Sequence, residues 1–257
     1  MPEWLFTYPS LWLAATLVLF SLIEASVHAE TDPVQRIAAN FVTYIASAAL
    51  FWLAALVAGD LPRPVGGPGL LAASPSAAAT AYVVLLSLTS YWFHRANHRW
   101  AWLWRFHRVH HSDPVLDAST TLRTHPVEYV LAALLQLGLA ALLGAAPVVV
   151  LAYAAVTMCW AVFTHAAIRL PAIPVPQGLR WAASPAFHRV HHSAARRQAD
   201  ANYAGVFAGW DLLFGTYRAP EHEPIERIGL GDDFDRLGSW SQQLMLPFAA
   251  EGRPAEP

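Results

Sequence analysis

The string Phe-His-Arg-Val-His-His occurs twice, at 106–111 and at 187–192. Residues three and four apart share one face of a helix. Each copy therefore aims three imidazoles in one direction: His107, His110 and His111 from the first, His188, His191 and His192 from the second. His94 and His98, four apart and just upstream, aim two more. Eight of the 12 histidines thus fall in two groups that can converge. A lone histidine is usually an ordinary surface or core residue, but two His-x-x-His-His strings beside a His-x-x-x-His form a metal-ligand pattern. Eight ligands are too many for one ordinary ion, because a structural zinc takes four and a catalytic zinc three plus water. Two ions with open positions fit the number better. Imidazole suits zinc, copper, iron and nickel alike, so the ligand type does not name the metal.

The rest of the chain says where such a site sits. Hydrophobic residues make up 56% and charged residues 13%, against about 45–50% and about 25% in soluble domains. That composition points to a membrane protein. Apolar runs cover 11–27, 37–59, 77–93, 127–143 and 147–164, with a Pro/Gly-rich loop at 60–69 and a tight turn at 144–147. Runs of this length can cross a bilayer core of about 30 Å. The first lacks the basic start and cleavage site of a signal peptide and is expected to be retained. The third run ends at His94. The fourth and fifth form a hairpin that crosses and returns, so the chain re-emerges at His165 on the side of the first histidine group. His188 to His192 follow on that side, and His165 is placed for a ninth ligand. Fourteen of 16 arginines lie in 95–123 or 169–253, the same side, and only Arg36 and Arg63 precede them. A positive excess marks cytoplasmic loops, so the histidines are expected at the cytoplasmic face with the N-terminus outside. Trp100, Trp102, Trp104 and Phe106 suit an interfacial belt. A net charge of −2 argues against nucleic acid as a partner, and the single cysteine, Cys159, rules out a disulfide framework or cysteine-based cluster.

These residues resemble the fatty acid hydroxylase / sterol desaturase superfamily. The likeness is carried by His94-x-x-x-His98, His107-x-x-His110-His111 and His188-x-x-His191-His192, and runs from about Ala77 to Tyr217. Thr124-His125-Pro126-x-Glu128 is similar to the His-Pro-x-Glu of the sterol-oxidase branch, and Asn202-Tyr203 with Gly209-Trp210-Asp211-Leu212-Leu213-Phe214-Gly215-Thr216 resembles the segment after the last box. The resemblance implies a membrane-embedded di-iron enzyme that uses O2 and two electrons to hydroxylate or desaturate fatty acyl chains, sterols or related lipids. It implies two iron ions, with zinc as a possible substitute, held by His94, His98, His107, His110, His111, His165, His188, His191 and His192. Where the family often has a second polar position after His165, this chain has Ala167 and Arg169. His125 is then either a replacement ligand or an outer partner that orients one. Glu128, Asp211 and Asn202 are further candidates for that outer role.

The expected fold is all-α: a multi-pass transmembrane helical bundle with a cytoplasmic histidine-rich helical cap. Its parts are N-terminal transmembrane helices at 1–76, a histidine-box di-iron hydroxylase domain at 77–220, and a cytoplasmic tail at 221–257. The expected partners are a lipid, O2, the membrane and a separate electron-donor protein, since no haem, flavin or iron–sulfur module is visible. The expected location is a bacterial inner membrane. Asp113 and Asp117 read as residues of a solvated loop, and Glu24, His28 and His222 as bystanders. Arg95, Arg99, Arg105, Arg108 and Arg189 read as snorkelling to headgroups. A desaturase shares the same site. From a different class, a metal transporter or sensor needs ligands near the bilayer midplane, whereas these lie at helix ends. A bis-histidine haem carrier does not need dense triplets, and a zinc hydrolase lacks its His-Glu-x-x-His.

Overall fold

Among the described residues five α-helices begin on a proline: Pro33, Pro75, Pro126, Pro147 and Pro185. Proline is suited to the first helical position because the amide it lacks has no intrahelical partner there. The computed structural model describes residues 15–21, 33–58, 69–168, 180–231 and 239–249. Among the described residues there is no strand, only two isolated bridges, Ala182 with Phe207 and Ser193 with Ile228. The long helices are α1 (Pro33–Ala58), α2 (Pro75–Arg99), α3 (Ala101–His111), α4 (Pro126–Leu143) and α5 (Pro147–His165). Short helices follow: α6 (Pro185–His191), α7 (Arg196–Ala199), α8 (Gly209–Phe214) and α9 (Trp240–Met245). Four of them, α1, α2, α4 and α5, are long and apolar enough to cross a membrane. The fold is all-α, as expected. Of the first apolar run only residues 15–21 are described, and they are helical. Glu24, His28, Arg63 and Arg169 lie outside the described residues.

The helices alternate in direction, and one end of the bundle collects the histidines. α2 and α5 arrive there at His98 and His165. α4 departs from there at Pro126. α1 also starts there, because Arg36 in its first turns bonds to Asp113 and Asp117 just beyond α3. Thr16 meets Cys159 and Phe20 meets Phe163, so residues 15–21 run parallel to α5 and towards the same end. At the opposite end Leu70 and Leu71 donate their amides to the carbonyls of Leu142 and Leu143. Gly144 closes α4 there with φ of 74°, a left-handed conformation that favours glycine. The bundle core near that end is Tyr82, Leu86, Ala140, Leu143, Ala145 and Val150.

Several polar residues stand differently from the sequence reading. Asp113 is fully buried and Asp117 nearly so. Asp113 accepts from Arg36, Asn40 and the Thr120 hydroxyl, and Asp117 pairs with Arg36 and caps the 3-10 turn Ala118–Leu122. Burial drives this: a carboxylate taken from water must be paired or bonded. Arg36 therefore also lies at the histidine end. Arg108 does not snorkel; it is buried and donates to the carbonyls of Leu246 and Ala249. Trp100 and Trp102 are exposed as a belt requires, whereas Phe106 is buried and Trp104 turns inward against His98 and His111. The stretch read as a tail is packed in its described part. The Ala194 amide bonds to the Arg227 carbonyl and Gly229 to that of His192, while α9 packs against α1. His222 is exposed in a 3-10 turn, away from the other histidines.

Candidate metal centre

Helix geometry splits each histidine triplet between two sites. His107 and His111, four apart on α3, point one way, and His110 points the other. In the second triplet His188 and His192 pair, and His191 diverges. The result is two clusters: His94, His98, His107, His111 and His191 in one, and His110, His165, His188 and His192 in the other. Within each, one ring nitrogen from every residue lies within 4.8 Å of the others. These are the same nine histidines that the sequence singled out. The clusters adjoin, with the His111 and His192 rings stacked at 4.5 Å.

In both clusters the Nε2 atoms face inward, and six of the nine histidines turn Nδ1 to a protein acceptor. In the five-histidine half His94 Nδ1 donates to the Tyr203 carbonyl at 2.6 Å, His107 Nδ1 to Glu128 Oε1 at 2.7 Å, and His191 Nδ1 to the Ala201 carbonyl at 2.8 Å. His98 Nδ1 lies 3.4 Å from Asp200 Oδ1. In the four-histidine half His110 Nδ1 donates to the Arg123 carbonyl at 3.3 Å and His165 Nδ1 to the Ala161 carbonyl at 2.7 Å. Fixing the proton on Nδ1 frees Nε2 as a ligand.

The inward atoms fit metal rather than one another. Nε2 of His94 and His107 are 3.0 Å apart, as are those of His110 and His165 and of His165 and His188, and those of His188 and His192 are 3.1 Å apart. Nitrogens bound to one ion at about 2.1 Å and about 90° from each other are about 3.0 Å apart. Nε2 of His98, His111 and His191 are buried with no hydrogen-bond partner among the described residues. Uncompensated buried polar atoms are costly, and an ion relieves all of them together. Burial, followed by the neighbouring imidazoles, holds His110, His111, His188 and His192 well below the ordinary histidine range, and His191 at about 3. They are neutral at pH 7, the form that binds metal.

The outer candidates divide. Glu128 bonds His107 directly and accepts from Asn97 at 3.2 Å. His125 lies in neither cluster; its Nδ1 accepts from the Val127 amide and so caps α4. Asp211 accepts from the amides of Tyr203 and Ala204 and from the Thr216 hydroxyl. Its burial raises its pKa, and these bonds oppose the rise. Asn202, at φ 57°, donates to the carbonyls of Phe187 and Arg218. Both shape the 201–204 loop, whose carbonyls receive His191 and His94. Asp200, Asn97 and the carbonyl contacts escaped the sequence reading. Carbonyl acceptors leave no residue-type signal, and Asp200 is one acid among 18. A cavity of about 240 Å³ reaches the five-histidine half, walled by His98, His111, Trp104, Arg99, Arg196 and Asp200.

An apolar helical bundle that collects nine histidines in two metal-sized clusters at one end defines a class of membrane protein with paired histidine sites. The family model for fatty acid hydroxylase matches residues 79–216, within two residues of the span expected from the motifs. The chain belongs to the fatty acid hydroxylase family. It is 31% identical over 155 residues to alkylglycerol monooxygenase of Danio rerio, covering 60% of this chain and 33% of that one. It is 32% identical over 172 residues to ornithine lipid hydroxylase OlsE of Rhizobium tropici, covering 66% and 50%. It is 30% identical over 134 residues to cholesterol 25-hydroxylase of Rattus norvegicus, covering 51% and 43%. The chain thus spans half or less of the length of these curated relatives. No solved structure matches it.

Proposed function

We propose that the protein is a membrane-bound, O2-dependent lipid hydroxylase with a dinuclear iron site. The observation that carries this reading is the convergence of nine imidazoles, Nε2 inward, at the end of an apolar bundle. His94, His98, His107, His111 and His191 would hold one iron, and His110, His165, His188 and His192 the other. With O2 and two electrons, such a pair supplies an oxidant able to take hydrogen from an unactivated C–H bond. The chain's residues do the rest. Glu128, Asp200 and the carbonyls of Ala201, Tyr203, Arg123 and Ala161 hold the ring tautomers. The apolar helices give a long lipid a place to lie with its chain near the histidine end.

Lipid substrates are supported by the relatives, whose names specify alkylglycerol, ornithine lipid and cholesterol. Electrons come from a separate donor protein in this reading. The histidine end faces the cytoplasm, because the arginines, now including Arg36, concentrate there, and the protein sits in a bacterial inner membrane. A metal transporter is disfavoured because the ligands sit at helix ends and beyond rather than at midspan.

The test is isotopic. Protein in lipid vesicles, supplied with ¹⁸O2 and a reducing system, is expected to place one ¹⁸O in a lipid product. Label arriving from water instead overturns the oxygenase reading. O2 uptake with loss of two hydrogens and no label retains the site but makes the enzyme a desaturase.

A further inference from the structure

Residues 239–249, Ser-Trp-Ser-Gln-Gln-Leu-Met-Leu-Pro-Phe-Ala, carry no charged residue, although Asp232, Asp233, Asp235 and Arg236 precede them and Glu251 and Arg253 follow. α9 and the 3-10 turn Leu246–Phe248 form a short double element here. Its inner side is fully engaged. Gln243 is fully buried, accepting from the Thr43 hydroxyl at 2.6 Å and donating to Asn40 Oδ1 at 3.1 Å. The carbonyls of Leu246 and Ala249 accept from the Arg108 guanidinium at 2.6 and 3.0 Å. Its outer side is uncovered, with Trp240 49%, Met245 62% and Phe248 68% exposed beside the neutral Ser241 and Gln242.

The depth of this surface follows from its partners. Asn40 and Thr43 lie about two to three turns into α1, roughly 10–15 Å from its start at 1.5 Å per residue. α1 is long and apolar enough to cross a membrane from Val34 onward, and at this depth its own outer face shows Phe41 and Val42. The outer side of 239–249 continues that face. Large aromatic and thioether side chains among neutral polar groups, with charges only beyond the ends, are the composition of an element lying in the headgroup–acyl boundary. We propose that residues 239–249 form a membrane-surface bracket: their outer side is seated in the bilayer interface on the histidine side, and their inner side braces α3 through Arg108. Arg108 directly follows His107, so a contact with lipid is one residue removed from the candidate metal centre.

Depth-resolved quenching tests this in full-length protein reconstituted in phosphocholine vesicles. Cys159→Ser removes the single cysteine. Met245→Cys and Phe248→Cys, at exposed positions where packing is undisturbed, then each carry an environment-sensitive fluorophore. Trp52→Cys on the outer face of α1 and Glu226→Cys in an exposed charged loop serve as deep-lipid and water references. The expected result is blue-shifted emission at 245 and 248, quenched most by lipids brominated high on the acyl chain, less by deeply brominated lipids, and little by aqueous iodide. Iodide quenching at 245 and 248 equal to that at 226 overturns the proposal in favour of a water-facing segment. Resistance to both quenchers, with energy transfer between labelled copies, overturns it in favour of a protein interface.

Discussion

The two halves of the histidine cluster are built from the same two strings and yet differ in what stands behind them. The five-histidine half draws on α2, α3 and α6, and two carboxylates reach its outer ring nitrogens, Glu128 at 2.7 Å and Asp200 at 3.4 Å. The four-histidine half draws on α3, α5 and the end of α6, and the outer nitrogens of His110 and His165 meet carbonyls, of Arg123 and Ala161. Asp113 and Asp117 stand near this half, but arginines and hydroxyls take up their charge. A carboxylate acceptor makes an imidazole a stronger donor to metal than a carbonyl does. One half is therefore ligand-rich and anion-backed, and the other is ligand-poor and neutral. Identical sequence motifs do not make equivalent sites; the loops and helix ends packed behind them decide.

Removal of a ligand is the largest way to break this comparison. His188→Ala leaves three imidazoles in the four-histidine half, whereas His98→Ala leaves four in the other. Elemental analysis of the purified variants is expected to show His188→Ala reduced to one ion per chain and His98→Ala retaining more than one. The reverse order would mean that ligand number does not set affinity here. Both His107→Ala and His191→Ala are expected to abolish turnover, while His222→Ala, remote and exposed, leaves it unchanged.

Next in size is the frame of the four-histidine half. Arg123 is completely buried and donates to the Val109 carbonyl, to Ser112 and to Asn40, while its own carbonyl receives His110. Arg123→Gln removes the charge from a network that holds Asp113. Breaking a buried charge network by deleting one member costs about 3–5 kcal/mol. Thermal unfolding in detergent is expected to show that loss, with the ion of the four-histidine half lost first. An unchanged midpoint would show that Arg36 alone sustains Asp113.

Much of this was legible beforehand, for reasons tied to particular residues. Helix spacing at 94/98, 107/110/111 and 188/191/192 is a local property, so the sequence carried the convergence of those rings. His165 followed from counting membrane crossings. What escaped is long-range. Asp113 and Asp117 look like loop acids until α1 brings Arg36 to them across 77 and 81 residues. Gln243 reaches Asn40 across 203 residues, and no spacing rule covers that. His125 had the right residue type in the right neighbourhood, but a proline-led helix start made its ring a cap instead.

A pH titration without metal sharpens the comparison at a smaller scale. Burial lowers the pKa of His110, His111, His188, His191 and His192, that of His191 to about 3. In the unfolded chain histidine titrates near about 6.5. Between these values the unfolded chain binds protons that the folded site refuses, so stability is full above about pH 6.5 and falls as pH drops towards 3. Metal-free protein is expected to lose its unfolding midpoint progressively over that window and metal-loaded protein to lose it later. Identical curves would mean that these rings are not the metal's ligands.

The smallest effects separate the two carboxylates. Glu128→Gln keeps a bond to His107 but removes the charge, and outer-partner changes of this kind cost roughly 10–100-fold in metal affinity. Asp200 is farther from its histidine, partly exposed at the cavity wall, and shared with Arg196 at 3.3 Å. Water and Arg196 screen it. Asp200→Asn is therefore expected to weaken the five-histidine half by less than Glu128→Gln, with neither change touching the four-histidine half. Competition with a chelator, read as two separate release steps, measures both at once. Should Asp200→Asn prove the more damaging, the charge at the cavity wall, rather than the hydrogen bond from Glu128, is what distinguishes the two halves.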